Sequence, residues 1–432
     1  GFQMKFLEAG PPQRDWFCDV PALHAKASDN SFSVDGYSPP MALASYFVEH
    51  YEQAQKNADL KMHDDMDGIF YPRGTALGGS GNINANVAVM PDKATLDALY
   101  IQSGKDPRFA PDKLQLYFAR AQNPGFLTGV FQCMAHVIQT VKSGRVPNAN
   151  DFARLTEPAG WQQIHTAANF VGVSDIAKDP QLLKIVTHML AFTAKTESFG
   201  GTIARFLTLF DGSNNELNAG RQGFTNMPIS VTKDGRRSSV YDRLKQVMAT
   251  RPDTMQVECE TKVHSLIFND KGTRVEGVRV LKPNPAVLAQ RKKIWAMQQE
   301  VPNVAADKVE AWNKQIAGET TKLRALEATL PPEMSIQRSK DGYVLSAGTF
   351  EDPMILIRSG YGPKDVLDRL GIPPVGGVYH EAVGRNLKDR REITMAFHAK
   401  DQFALVAGLG FGKNPHDDKA MQVREKSGRG AH

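Results

Sequence analysis

Residues 71–90, YPRGTALGGSGNINANVAVM, constrain what this chain can fold into more than any other stretch. Glycine stands at Gly74, Gly78 and Gly79, asparagine at Asn82, Asn84 and Asn86, and an apolar, strand-like tail follows. Small residues at this density let a backbone lie flat against a large ligand, and asparagine amides offer donors and acceptors to its edges. An ordinary surface turn would share the same glycines, so the loop has to be weighed with the rest of the chain.

The chain has 432 residues, more than one ordinary domain, which implies two or three lobes sharing a large core. Hydrophobic residues at 41% and charged residues at 23% describe a folded globular protein rather than a disordered or fibrous one. The formal charge of +5 is small, and Lys and Arg alternate with Asp and Glu, so no basic stripe points to nucleic acid. Cys18, Cys133 and Cys259 are odd in number and far apart without a CxxC, a pattern of buried thiols rather than of a disulfide framework or metal site. No run of about 18 apolar residues is present, so no transmembrane segment is expected. No signal peptide is visible, yet the chain opens on Gly1 without an initiator methionine. A soluble protein is expected, with cytoplasm and periplasm both open.

Residues 4–10, MKFLEAG, read as a short buried strand ending in an acid and a glycine turn. An acid at such a strand tip is where a dinucleotide-binding fold accepts hydrogen bonds from ribose hydroxyls, and Glu8 fits; an ordinary strand end would look the same. Residues 11–70 form a Pro-, Asp-, Ser- and Asn-rich excursion with one amphipathic helical stretch over 41–58. Helical patterns recur over 93–145 and 180–210, and 255–281 read as a β-meander turning at 269–272. Over 283–335, Val309, Trp312, Ile316, Leu323, Leu326 and Leu330 repeat at near-heptad spacing, punctuated by Pro302, Pro331 and Pro332. That pattern predicts a helical hairpin inserted between two strands, either a solvated prop on its host or a partner-binding arm.

Five segments, in order, resemble the glucose–methanol–choline (GMC) oxidoreductases, flavoenzymes that bind FAD. LEAG at 7–10 is similar to the end of the family's second strand. Residues 72–97, PRGTALGGSGNINANVAVMPDKATLD, resemble its first signature, PRGxxLGGSSxIN followed by Pro and an acid. DGRRSSVYDRL at 234–244, with RPDTMQVECETKV at 251–263, resembles the G-R-x-S helix and the strand that carries an adenine-contacting valine. VLSAGTFEDPMILIRSGYGP at 344–363 resembles the second signature, and AVGRNLKDR at 382–390 the VGxNLQDH stretch. Departures are Thr75 for a basic residue or Asn, Asp352 for Ser or Thr, and Tyr361 for an aliphatic residue. The resemblance also implies a GxGxxG turn before Gly1, and a catalytic His with its His or Asn partner beyond His432.

The fold implied is α/β (α+β mixed): a Rossmann-like FAD-binding lobe plus a substrate lobe with an antiparallel sheet. Residues 1–125, 238–282 and 336–375 would make the FAD-binding domain, 126–237 and 376–432 the substrate-binding domain, and 283–335 the helical insertion. Ser80, Asn84, Ala85, Asn86 and Val87 would line the isoalloxazine and its phosphate side, with Gly74, Gly78 and Gly79 allowing close approach. Val263 would touch adenine through its main chain, although a plain core valine would be buried alike. Ala347 and Gly348 would pack near the adenosine, and Arg73 either meets the cofactor or faces solvent from a turn. Family members that attach FAD covalently do so through a His one position before the Asn; here Ile83 stands there, so non-covalent FAD is expected.

The chemistry implied is oxidation of a primary or secondary alcohol, or a sugar hydroxyl, by hydride transfer to flavin N5, with a base taking the hydroxyl proton. No histidine matches the family's catalytic position, so the catalytic residues are unknown. His398, in an apolar-alternating stretch, is the one candidate to face the pocket; His136, His165 and His188 read as core or surface residues, and His416 as a solvated turn rather than a metal ligand. The partners expected are a small-molecule alcohol and an electron acceptor that is oxygen, a quinone or a redox protein, with the helix-rich 98–215 region shaping a pocket or a homo-oligomer surface. Two rivals stand beside this reading: a GMC-fold lyase or decarboxylase, and a truncated, non-catalytic binding subunit.

Overall fold

The computed structural model describes residues 3–23, 43–49, 62–63, 68–89, 91, 93–123, 162–166, 177–196, 228–232, 235–385 and 398–404, with isolated positions at 137, 141, 144, 146–147, 160, 387 and 389. Its strands are β1 (Met4–Leu7), β2 (Leu43–Val48), β3 (Met62–His63), β4 (Gly68–Gly74), β5 (Gln122–Asn123), β6 (Gln162–Thr166), β7 (Pro228–Ser230), β8 (Met255–Glu258), β9 (Lys262–Phe268), β10 (Val275–Lys282) and β11 (Glu333–Gln337). The α-helices are α1 (Lys93–Gln102), α2 (Pro111–Ala121), α3 (Pro180–Thr196), α4 (Val240–Thr250), α5 (Pro285–Gln299), α6 (Val309–Thr329), α7 (Glu351–Arg358) and α8 (Lys364–Leu370). Strands and helices alternate along the chain, and the molecule is a mixed α/β fold carrying antiparallel sheets.

β1 and β8 pair in parallel, Met4 opposite Met255 and Leu7 opposite Glu258. β9, β10 and β11 form an antiparallel sheet in the order β11-β10-β9. Its hairpin turn is built by Asn269, whose side-chain oxygen accepts from the backbone N–H groups of Thr273 and Arg274 at 2.8 and 3.0 Å. Alternation along β9 and β10 sends Leu266, Val278 and Val280 to one face, where they close on Ile355 of α7. Leu7 of β1, Val263 and Leu345 pack against the same cluster, so three distant segments share one core. Each aliphatic side chain buried this way contributes about 1.5–3 kcal/mol.

The hairpin predicted over 283–335 is present as α5 and α6. Asn284 caps α5 by accepting from Ala286 N at 3.0 Å, and Pro285 occupies the first helical position, where a missing N–H costs nothing. Val287, Ile294 and Val301 bury against Val309, Ile316 and Leu323, with Trp312, Leu326 and Leu330 partly buried beside them. Trp16, from the N-terminal segment, packs on this seam, which joins the hairpin to its host.

Three expectations need correction. The helix read over 41–58 begins instead as β2, antiparallel to β4 from Leu43 opposite Gly74 to Val48 opposite Ile69. Tyr46, Phe47 and Val48 are aromatic or β-branched, and pairing along the whole strand outweighs a weak helical period. The meander over 255–281 splits between two sheets: β8 leaves for β1, because the backbone turns at Glu260, whose φ is 52°, before β9 starts. Finally, β1 is only half covered, since Met4 is 57% exposed. The second half of the 180–210 block lies outside the described residues, as do Cys133, His136 and His416. Cys18 is a buried free thiol and Cys259 a half-buried one.

Candidate functional site

β4 runs into the glycine loop and ends in a single tight turn over Gly79–Asn82. Ser80 closes it by accepting from Gly74 N at 3.1 Å, and fully buried Asn82 donates to Leu77 O at 2.9 Å. Gly78 has φ 99°, and a Cβ there would lie 2.7 Å from Tyr241 Cβ, so one face of the loop is pressed onto the start of α4. Gly79 has φ 57°, and a Cβ there would meet nothing within 4 Å among the described residues. The loop therefore has a packed side and an open side, as a ligand platform requires.

Beyond the turn, Asn84, Ala85 and Val87 are exposed, whereas Asn86 is buried with φ 59°. β7 holds this stretch in place: Ser230 N donates to Asn86 O at 2.7 Å and Ala88 N to Pro228 O at 2.9 Å. From beneath comes Arg237, 1% exposed, a residue to which the sequence reading assigned no role although it lies in the G-R-x-S stretch. Its Nε donates to Cys18 O at 2.6 Å, and its Nη1 lies 2.8 Å from Asn84 O, 2.7 Å from Asn84 Oδ1 and in contact with Asn86 Oδ1. Burial lowers its pKa to about 10, which leaves it a cation at neutral pH. A second buried arginine, Arg14, bonds Ser239 and pairs with Asp19 and Asp242, tying the N-terminal segment to the first turn of α4.

Glu8 stands at the tip of β1 and reaches the same loop through Gly10. A Cβ on Gly10 would fall 1.1 Å from Thr75 O, and Leu77 N donates to Pro11 O at 3.1 Å, so strand tip and glycine loop are in direct contact. The Glu8 carboxylate accepts from Gly10 N at 2.9 Å, while Glu8 O accepts from Thr261 N at 2.8 Å. Desolvation, reinforced by Glu260 nearby, raises its pKa to about 7. Arg291 from α5 pairs with Glu260 at 2.7 Å, so the hairpin reaches this corner as well.

Val263 follows Thr261 into β9 and packs in the core that holds Leu7 and Leu345. Two residues past Leu345, Ala347 N donates to Asp352 Oδ1 at 2.6 Å, and exposed Gly348, φ 97°, accepts from Asp352 N at 2.9 Å. These residues cap α7 rather than end a strand. Arg73 neither faces solvent freely nor lies among the glycines: its guanidinium sits 4.9 Å above the Phe350 ring and 5.4 Å from that of Tyr71. Tyr46 stacks on Phe350 at 4.9 Å and donates to Glu351 at 2.9 Å, so this aromatic cluster joins the first signature to the second. Tyr71 in turn donates to Asp389 at 2.8 Å, bringing in the 382–390 stretch. His188 is a surface residue bonded to Lys184 O. His398 is exposed on the short 398–404 segment, and no hydrogen bond of its ring is found among the described residues. Among the described residues no cluster could hold a metal ion, and no helix is long and apolar enough to cross a membrane.

No protein-family model matches the chain. It is 39% identical over 72 residues to an oxygen-dependent choline dehydrogenase of Pectobacterium carotovorum, a match spanning 17% of this chain and 12% of that protein. Another oxygen-dependent choline dehydrogenase, from Vibrio vulnificus, is 32% identical over 133 residues, 27% of this chain and 23% of the relative. A glucose–methanol–choline family oxidoreductase of Annulohypoxylon moriforme is 35% identical over 72 residues, 17% of this chain and 12% of that protein. The matched segments thus cover less than a quarter of each relative's length. Among solved structures, the chain is similar to pyridoxine 4-oxidase from Mesorbium loti, with 18% identity, 86% of this chain and 50% of that chain covered, and a TM-score of 0.49.

Proposed function

We propose that this chain, which resembles the glucose–methanol–choline oxidoreductases, binds FAD without a covalent bond and serves the oxidation of a primary or secondary alcohol, or a sugar hydroxyl. The observation that carries the reading is that the Glu8 strand tip rests on the glycine loop through the contact of Gly10 with Thr75, and that the loop runs on into exposed Asn84, Ala85 and Val87. The donor set fits the cofactor. Among the described residues, Asn86 Nδ2 and Arg237 Nη2 are buried and meet no partner, and Gly79 leaves room where a side chain would stand. Glu8 would take the ribose hydroxyls, with Val263, Ala347 and Gly348 toward the adenosine. Gly74, Gly78, Gly79 and Ser80 would support Asn84, Ala85, Asn86 and Val87 against the flavin ring. Arg73 is better assigned to joining the two signatures than to the cofactor.

A flavin held there would accept hydride from the carbinol carbon. What the described residues contribute is binding and orientation: the loop's packed side fixes its open side, and Arg237 fixes the asparagines. Ile83, where a covalent attachment would require His, is 3% exposed and packed on Cys18, which supports a non-covalent cofactor. His398 is not assigned as the base.

The test is direct. Purified protein titrated with FAD is expected to quench flavin fluorescence and to retain the visible flavin band through gel filtration. Primary and secondary alcohols are then expected to bleach that band anaerobically, and readmitting oxygen or adding a quinone identifies the acceptor. Retained FAD without bleaching by any alcohol would favour a lyase or decarboxylase; absence of FAD binding would end the reading.

A further inference from the structure

Asn84 and Asn86 have amides that could face a ligand either way round, with oxygen or with NH2. Their environment decides. Asn84 Oδ1 receives Arg237 Nη1 at 2.7 Å and Asn86 N at 3.1 Å, and both of those groups can only donate. The atom between them is therefore oxygen, and the Asn84 NH2 points away from both. Asn86 Oδ1 likewise faces Arg237 Nη1. What remains unmet in this trio is uniformly of one kind. Among the described residues, Asn86 Nδ2 and Arg237 Nη2 are buried donors that meet no partner, and no hydrogen bond of Asn84 Nδ2 is found.

We propose that Arg237 is a positioning residue that consumes the side-chain oxygens of Asn84 and Asn86, so that exposed Asn84 presents its NH2, a donor, to a carbonyl oxygen of a planar ring. Resting on the FAD reading, this assigns a ring carbonyl oxygen of the flavin to Asn84 Nδ2, with the N3–H between the two carbonyls left to another acceptor. Arg suits the position because one rigid fork spans Cys18 O on one side and both asparagines on the other. A lysine ammonium could satisfy one of these points but not all of them.

Two measurements test it. In cofactor-free protein, the Asn86 N–H is protected by Asn84 Oδ1, so its hydrogen exchange reads the clamp directly. Arg237→Lys is expected to speed exchange at Asn86 by about tenfold or more while amides of the α5–α6 hairpin keep the parent's rates. Asn84→Ala, at an exposed position that cannot unfold the core, is expected to do the same at Asn86. Unchanged Asn86 exchange in either variant overturns the proposal. The second measurement is FAD affinity of Asn84→Asp, which keeps an acceptor for Arg237 but replaces the outward donor with an acceptor. FAD binding is expected to weaken about tenfold or more with Asn86 exchange as in the parent; affinity equal to the parent's overturns the outward donor at Asn84. A parent protein that takes no FAD removes the cofactor reading, while the exchange measurement still decides whether Arg237 holds the loop.

Discussion

Glu8 shows how much a single carboxyl can report. Its folded pKa of about 7 exceeds the ordinary value of 4.5, so the folded state holds the proton more tightly than the unfolded chain does. Stability from this group is therefore full below pH 4.5 and is lost as pH rises through 7, a difference on the order of 3 kcal/mol. Urea unfolding of the cofactor-free protein at pH 5 and pH 8 is expected to show this loss, and Glu8→Gln is expected to remove most of it. A variant with the parent's pH dependence would place the titrating group elsewhere. From sequence, Glu8 was legible as an acid at a strand tip, because position alone defines that role. Its raised pKa was not legible, since burial and the charge of Glu260, 252 positions away, act on it only in the folded chain. Arg237 was hidden for the same reason: nothing local distinguishes it from Arg236, which is exposed, and its partners Cys18, Asn84 and Asn86 approach from 151 to 219 positions away.

At the scale of elements, the glycine loop makes two opposed predictions. Gly78→Ala forces a Cβ into Tyr241 at φ 99° and is expected to cost on the order of 1–3 kcal/mol in chemical denaturation. Gly79→Ala, in open space, is expected to cost less stability yet to weaken FAD binding more than Gly78→Ala does, because its methyl group enters the ligand side. The reverse ranking would mean that the open side is not the cofactor's. In the hairpin, Ile316→Ala removes a side chain 2% exposed at the α5–α6 seam and is expected to lower stability by about 2–5 kcal/mol, measured by urea unfolding. Heptad spacing made that hairpin readable in advance, since its partners lie within the same 50 residues. β2 and β8 misled because strand pairing is not local: β2 pairs with β4 across an intervening segment, and β8 with β1 some 250 positions away, and neither partner leaves a trace in the local pattern.

For the whole molecule, the prediction concerns linkage. FAD that binds only the folded state stabilises it by about 2.7 kcal/mol at one hundred times its dissociation constant, so the melting temperature is expected to climb with FAD concentration. ADP, which shares the adenosine end, is expected to give a smaller rise through Glu8, Val263, Ala347 and Gly348 alone. Equal shifts with ADP and FAD would show that the asparagine stretch contributes nothing to binding. The sequence by itself determined which kinds of residue occupy the loop, where its glycines sit, which stretch would form a helical hairpin and what family the motifs resemble, because turn chemistry and helical periodicity act over a few residues. Only the tertiary structure decided that Gly10 rests on Thr75, that Leu7, Val263 and Leu345 share one core, and that Arg237 takes the oxygens of Asn84 and Asn86. Those contacts join segments 65 to more than 300 residues apart, and their energy comes from burial and desolvation, which exist only once the chain has closed on itself.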